Sequence, residues 1–228
     1  MSFARASVTN RTLGALAGIA LSGVALAGCV TGERPRLVTD ETVPTVDSSA
    51  IGIVMNDLLE PLDTSPFTVT YSITTKFGGQ QTVGTLVYDA SMGTSVKIAE
   101  VRYVRAADGS VATCSDATEV CEPGILEARV SDRMLTSTFY RDSTVERLRT
   151  DSTFALGEPT GSTKEQFGQN ETCVVIPVVD SSGTTRDKTY CAFSDLGVVA
   201  YIDTADVRIE ATAVVLTADP NAFRTGTI

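Results

Sequence analysis

Phe67-Thr68-Val69-Thr70-Tyr71-Ser72-Ile73-Thr74-Thr75-Lys76-Phe77 alternates large apolar or aromatic side chains with small polar ones almost without a break. Successive side chains of a strand point to opposite faces, so Phe67, Val69, Tyr71, Ile73, Thr75 and Phe77 share one face. Thr68, Thr70, Ser72, Thr74 and Lys76 share the other. The β-branched and aromatic content fits a half-buried strand. Gly78-Gly79 supplies a turn. Thr82 to Asp89 then returns as a second strand carrying Val83, Leu86, Val87 and Tyr88. Ser95 to Arg105 reads as a third strand. Its apolar positions change phase between Ile98 and Val101, which predicts a bulge or bend near Ala99-Glu100. Neighbours joined by short loops make an antiparallel meander.

Toward the C-terminus, Ala106 to Gly124 reads as a polar loop closed by a pair of cysteines. Ile125, Leu126, Val130, Met134 and Leu135 are spaced roughly as one helix face. Ser143 with Glu146 fits a capping box, which predicts a short helix from Thr144 to about Thr150. Phe154 to Asn170 is rich in Gly and Thr and is expected to be irregular. Thr172 to Val179 and Lys188 to Phe193 read as a hairpin around Ser181-Ser182-Gly183. Gly197 precedes a strand over Val198 to Ile202. Asp206 to Thr217 is the second long alternation, with Val207, Ile209, Ala211, Ala213 and Val215 on one side. Its other side, Arg208, Glu210, Thr212, Val214 and Leu216, turns apolar at the end, as if covered there.

Toward the N-terminus, Ile51, Val54, Met55, Leu58 and Leu59 fall on one face of a helix within Val46 to Leu59. Asp47, Ser48 and Ser49 offer N-caps, and Pro61 followed by Asp63-Thr64-Ser65-Pro66 ends it. Before it, Val30 to Pro44 is polar, aperiodic and broken by Pro35 and Pro44, as a tether would be. The first 28 residues carry Arg5 and Arg11 as their only charges, an apolar run over Leu13 to Leu26, and small Ala27-Gly28. That is a secretory signal, and the run falls short of the roughly 20 residues of a membrane span. Leu26-Ala27-Gly28-Cys29 has the form of a bacterial lipobox. Diacylation of Cys29 would give the two chains a durable anchor requires. Three segments follow: a signal over residues 1–28, a lipidated cysteine and tether over 29–46, and one domain over 47–228. The expected location is the outer side of the bacterial cell membrane, held by lipid on Cys29.

The 228-residue chain has 28 acidic and 18 basic side chains, a formal net charge of −10, and neither histidine nor tryptophan. Removing the signal deepens the negative charge by two. Such a surface repels nucleic acid, so no nucleic-acid partner is expected. Without histidine, the Ser-His-Asp and Cys-His nucleophile systems and His-ligated metals are excluded. No nucleophile elbow, Ser-x-x-Lys, P-loop or dinucleotide fingerprint occurs. The expectation is a non-enzyme with no cofactor and no metal. Asp203 and Asp206 flank the start of the last strand, where turn capping is the ordinary role and Ca²⁺ ligation the sharper one. Besides Cys29, the chain holds Cys114, Cys121, Cys173 and Cys191. An even number in an exported chain reads as two disulfides, and proximity in sequence favours Cys114–Cys121 and Cys173–Cys191.

The lipobox, the leading amphipathic helix, Phe67-Thr68-Val69-Thr70-Tyr71 and Gly84-Thr85-Leu86-Val87-Tyr88-Asp89 resemble the opening of the LolA/LprG/LppX-like lipoproteins. The run Tyr190-Cys191-Ala192-Phe193-Ser194-Asp195-Leu196-Gly197-Val198-Val199-Ala200 is similar to a strand pair of its actinobacterial members. The resemblance covers about residues 47 to 217. It implies an α+β fold: one curved antiparallel sheet, an unclosed half-barrel, with helices over its concave face. It also implies binding or carriage of lipids or lipoproteins between envelope layers.

Two functions follow as expectations. In one, the domain binds a lipid, an amphiphile or a lipidated partner in an apolar cavity lined by Phe67, Val69, Tyr71, Ile73, Phe77, Leu86 and Tyr88. In the other, the same residues fill a solid core, and the domain is a cell-envelope protein-interaction module. A binder needs a connected apolar cavity of roughly 300 Å³ or more. A module is packed to ordinary density.

Overall fold

The computed structural model describes residues 49–60, 62, 65–179 and 182–226. The signal, Cys29, the tether and the caps Asp47 and Ser48 lie outside the described residues.

Helix α1 spans Ala50–Leu59 and starts at Ser49, whose hydroxyl accepts from the Gly52 amide at 3.0 Å. Six strands follow as a meander: β1 Phe67–Thr75, β2 Gln80–Asp89, β3 Gly93–Ile98, β4 Val101–Ala106, β5 Val111–Ser115 and β6 Val120–Pro123. A 3₁₀ turn over Glu127–Arg133 leads to α2, Asp142–Thr153. Five strands complete the chain: β7 Thr160–Gln166, β8 Gln169–Val179, β9 Thr185–Phe193, β10 Val198–Asp203 and β11 Val207–Val215. All eleven form one antiparallel sheet in the order β6-β5-β4-β3-β2-β1-β11-β10-β9-β8-β7. The sheet is open, with β6 and β7 at its edges, and with its two α-helices it is an α+β half-barrel. The first and last strands meet in the middle, where Ile73 pairs with Ile209.

Alternation sets the two faces. Phe67, Val69, Tyr71, Ile73, Leu86, Val96, Ile98, Tyr190, Ile202 and Ile209 are buried beneath the helices in one core with Leu58, Phe139, Val145 and Leu148. The turns β1–β2, β8–β9 and β10–β11 all fall at one end of the sheet, where the Lys76 amide donates to Asp206 O at 2.8 Å. The turns β2–β3, β7–β8 and β9–β10 fall at the other. Helix α1 starts against the middle of β8, where Gly161 pairs with Val174, and runs toward the second end. A Cβ on Gly161, near the start of β7, would lie 3.0 Å from Ala50 Cβ. One on Gly197, in the β9–β10 turn, would lie 3.4 Å from the carbonyls of Asp57 and Glu60.

Several expectations are corrected. The phase change at Ile98 is a full reversal: Ala99 takes φ 53° and β4 folds back on β3 with Ile98 opposite Val101. The loop Ala106 to Gly124 contains the hairpin β5–β6. The region around Val130 is a 3₁₀ turn and not an α-helix. Helix α2 begins at Asp142 with no side-chain cap, so Ser143 and Glu146 form no capping box. The stretch expected to be irregular holds the exposed edge strand β7. The apolar turn of β11 has a local cause. Tyr71 pairs with Ala211 but Thr70 pairs with Ala213, so Thr212 is an extra residue and Val214 swings inward opposite Val69. Val215 and Leu216 are exposed.

Candidate functional site

The residues expected to line a cavity divide into three groups. Phe67, Val69, Tyr71, Ile73 and Leu86 are completely buried. Tyr71 meets the ring of Phe139 edge-on at 5.2 Å, and its hydroxyl donates to Val199 O at 2.9 Å. Burial pushes the Tyr71 phenol far above its ordinary range. Gly84 leaves space that its neighbours use: a Cβ there would lie 2.7 Å from Ile73 Cδ1 and 3.5 Å from Phe139 Cζ. Tyr88 is half-buried, 5.3 Å from the Phe67 ring. Phe77 departs from the expected pattern. β1 ends at Thr75, and Phe77 stands exposed in the β1–β2 turn. The space among Leu135, Phe139, Ile202, Val207 and Ile209 is about 50 Å³, far below the roughly 300 Å³ of a ligand pocket.

The ionisable groups are tied together. Arg147 of α2 donates to both Asp206 oxygens, and the Thr204 hydroxyl donates to Oδ1 at 2.6 Å. Burial would raise the Asp206 carboxyl, but these donors outweigh it and hold it below its ordinary value. Asp203 takes Lys76 at 2.5 Å and Arg208 at 2.6 Å, which likewise overcome its burial. The two aspartates before β11 thus serve as ion-pair acceptors. Asp151 accepts from Lys188 at 2.6 Å and from the Tyr190 hydroxyl at 2.5 Å. Desolvation first, then the Asp151 bond, pushes the Tyr190 phenol up. Sequence reasoning did not find this network, because its members lie on separate elements and no spacing links them.

Cys114 pairs with Cys121 across β5–β6, and Cys173 with Cys191 across β8–β9, each pair facing in register. Buried Glu171 lies beside the second bridge. One oxygen is 3.1 Å from Lys164 Nζ and 3.3 Å from Cys173 Sγ, and Oε2 has no hydrogen-bond partner among the described residues. Both sulfurs of this Glu171–Cys173–Cys191 group are in the disulfide, so the group offers no thiolate to a metal.

On the face away from the helices the chain after β11 crosses the sheet as a strap. The Thr68 hydroxyl donates to Thr217 O at 2.7 Å. Ser95 and Arg102 both donate to Ala222 O at 2.8 Å, and Arg102 also reaches Arg224 O at 2.6 Å. Asp219 caps the short turn Pro220–Phe223, an Asp-Pro signal legible in the sequence. Between strap and sheet lies an open cleft of about 430 Å³ over Thr68, Thr85 and Val87. Lys97 and Arg102 stand at its wall and share the carboxylate of Asp116.

No protein-family model and no curated protein matches the chain. Solved structures align with parts of the chain, two of them as follows. PNGF-II aligns at 13% identity and TM-score 0.37, over 72% of this chain and 30% of that one. A Vibrio parahaemolyticus domain assigned to outer membrane lipoprotein sorting aligns at 9% identity and TM-score 0.34, over 79% of this chain and 97% of that one. The chain thus spans less than a third of the PNGF-II chain.

Proposed function

We propose that this is a lipid-anchored envelope protein that works by binding and not by catalysis, meeting a partner with the surface of a solid half-barrel. The observation that carries this reading is the filled helical face. Five of the seven candidate cavity residues are completely buried against one another and against Phe139 and Leu148, and none of the seven lines the space of about 50 Å³ beside Phe139 or the open pockets of about 240 and 380 Å³ beside Arg147 and Ala50. Packing of that kind leaves no room for an acyl chain among these residues. Asp151, Asp203 and Asp206 each face a cation, so none is placed as a free general acid or base. The lipobox at Cys29 and the acidic composition support envelope anchoring without nucleic-acid contact.

A second reading has its own observation. The cleft under the strap is large enough for a small amphiphile, with Val87 and Ala222 on its walls and Lys97 and Arg102 beside them. Native mass spectrometry of the membrane-extracted chain separates the two. The first reading expects only the covalent lipid on Cys29. A non-covalent amphiphile that disappears in Thr85→Tyr would transfer the conclusion to the cleft. One retained in that variant but lost on loosening the core with Leu148→Ala would restore an internal cavity.

A further inference from the structure

We infer that the free edge of β7 is a contact surface that takes an extended polypeptide strand, one carrying a basic and then an apolar side chain. This rests on the reading of the half-barrel as a protein that meets a partner with its surface. β7 and β8 are joined by the two-residue turn Phe167-Gly168, with φ 56° and 72°. Such a turn makes Gln166 and Gln169 a hydrogen-bonded pair. In steps of two, Lys164, Ser162 and Thr160 also bond to β8, so Gly161, Thr163 and Glu165 aim their amides and carbonyls off the sheet. Among the described residues no other segment bonds to these groups. Every β7 residue before Gln166 is exposed. The other edge offers less. β6 has four residues and ends on Pro123, and the strap reaches it at Gly226, where a Cβ would lie 3.0 Å from Glu119 O.

The surroundings of the edge define the strand that fits. On the helix side, an open pocket of about 380 Å³ lies between Ala50 and Ile53 of α1 and Gly161, Thr163 and Thr172 of the sheet. Ile53 is 43% exposed there. Side chains of an added strand alternate, so those opposite Gly161 and Thr163 point toward this pocket and fill it when apolar. The next position on that face meets Glu165. More acids stand beside it. Asp195 accepts from Asn170, the partner of Glu165, and Asp57 accepts from Thr172, the partner of Thr163, with Glu60 close to Asp57. Glu158 precedes the strand. The cations nearby are engaged: Arg141 with the carbonyls of Leu59 and Glu60, and Lys164 with Glu171 on the opposite face. A basic side chain opposite Glu165 is therefore complementary. A second copy of β7 would bring the same acids and the same chain charge of −10, which disfavours self-pairing.

The sheet is antiparallel throughout, so the probe is the peptide fluorescein-Gly-Lys-Thr-Val-Thr-Val-Thr, whose lysine falls opposite Glu165 and whose valines fall opposite Thr163 and Gly161. It is titrated with the detergent-extracted full chain and followed by anisotropy. Saturable binding is expected. N-methylation of the first valine removes the amide that faces Thr163. Thr163→Pro removes an outward amide and leaves the β8 ladder intact. Each should weaken binding by about tenfold or more. Ile53→Glu should do the same by placing a charge in the pocket, and Glu165→Lys should reverse the preference for the lysine peptide over its glutamate analogue. Equal binding of the N-methylated peptide, or equal binding by folded Thr163→Pro, overturns the edge pairing, as does the absence of saturation below about 1 mM. A dimer in sedimentation that Thr163→Pro dissolves gives the edge to a second copy and overturns it too. Failure of the underlying reading shows separately, as a non-covalent amphiphile in native mass spectrometry of the same extract.

Discussion

Arg147 forks onto Asp206, Nη1 to Oδ1 at 3.1 Å and Nη2 to Oδ2 at 2.8 Å, and so pins helix α2 to the turn before β11. The depressed native pKa of Asp206 sets the sign of its pH dependence. Its stabilisation is present above the ordinary carboxylate range and is lost as pH falls below about 4, through the depressed native value. Asp203 and Asp116 act in the same direction. Arg147→Leu is expected to cost about 1–2 kcal/mol at pH 7. It should also flatten the acid limb of stability, read from urea midpoints between pH 2 and 7. An unchanged acid limb would count against the fork as its source.

Asp57 carries the opposite sign. Burial, with Glu60 and Asp195 nearby, raises its pKa despite the bond it accepts from Thr172. Its stabilising contribution is present at low pH and lost as pH rises through the raised native value. Asp57→Asn keeps the acceptor and removes the charge. Thermal melts should place the variant above the parent at pH 7, with the gain gone by pH 3.

Gly84 tests whether the core is filled. A methyl there would press on Ile73 and Phe139. Overpacking of this kind costs about 1–3 kcal/mol, and Phe139→Ala about 3–5 kcal/mol. Chemical denaturation of Gly84→Ala should show the loss, and a neutral result would mean the site has slack.

The two disulfides close loops with sequence separations of 7 and 18. In the chain-entropy account they contribute about 2.4 and about 3 kcal/mol. Cys173→Ala/Cys191→Ala should therefore lower the denaturation midpoint more than Cys114→Ala/Cys121→Ala. The reverse order would point to strain relieved at the Glu171 bridge.

Strands read most clearly where one side of them is buried. β1 and β11 announced themselves through alternation, and α1 through its apolar stripe. β7 did not, because Thr160–Gln166 is an edge segment with no apolar face to alternate. The β3–β4 turn was hidden because it uses Ala99 in a left-handed conformation where glycine or asparagine is usual. Phe77 misled because the alternation continues in sequence past the point where the strand ends. For the candidate site, residue type indicated burial but could not distinguish a wall from a filling, since both want the same side chains. The ion-pair network depends on contacts such as Arg147–Asp206 that no local window contains.

The seam between β1 and β11 dictates the order in which the sheet can be finished. Thr68 and Thr217 touch across 149 residues of chain, so β1 is synthesised long before its second neighbour exists. The meander β1 to β6 can zip locally, since each strand finds its partner next in line. It must then wait with the bare edge of β1 at what will become the middle of the sheet. A chain stopped short of Val207 would keep that edge, with no partner of its own to cover Tyr71 and Ile73. β11 is the keystone, and nascent chains that do not yet include it are the species most prone to pair with each other.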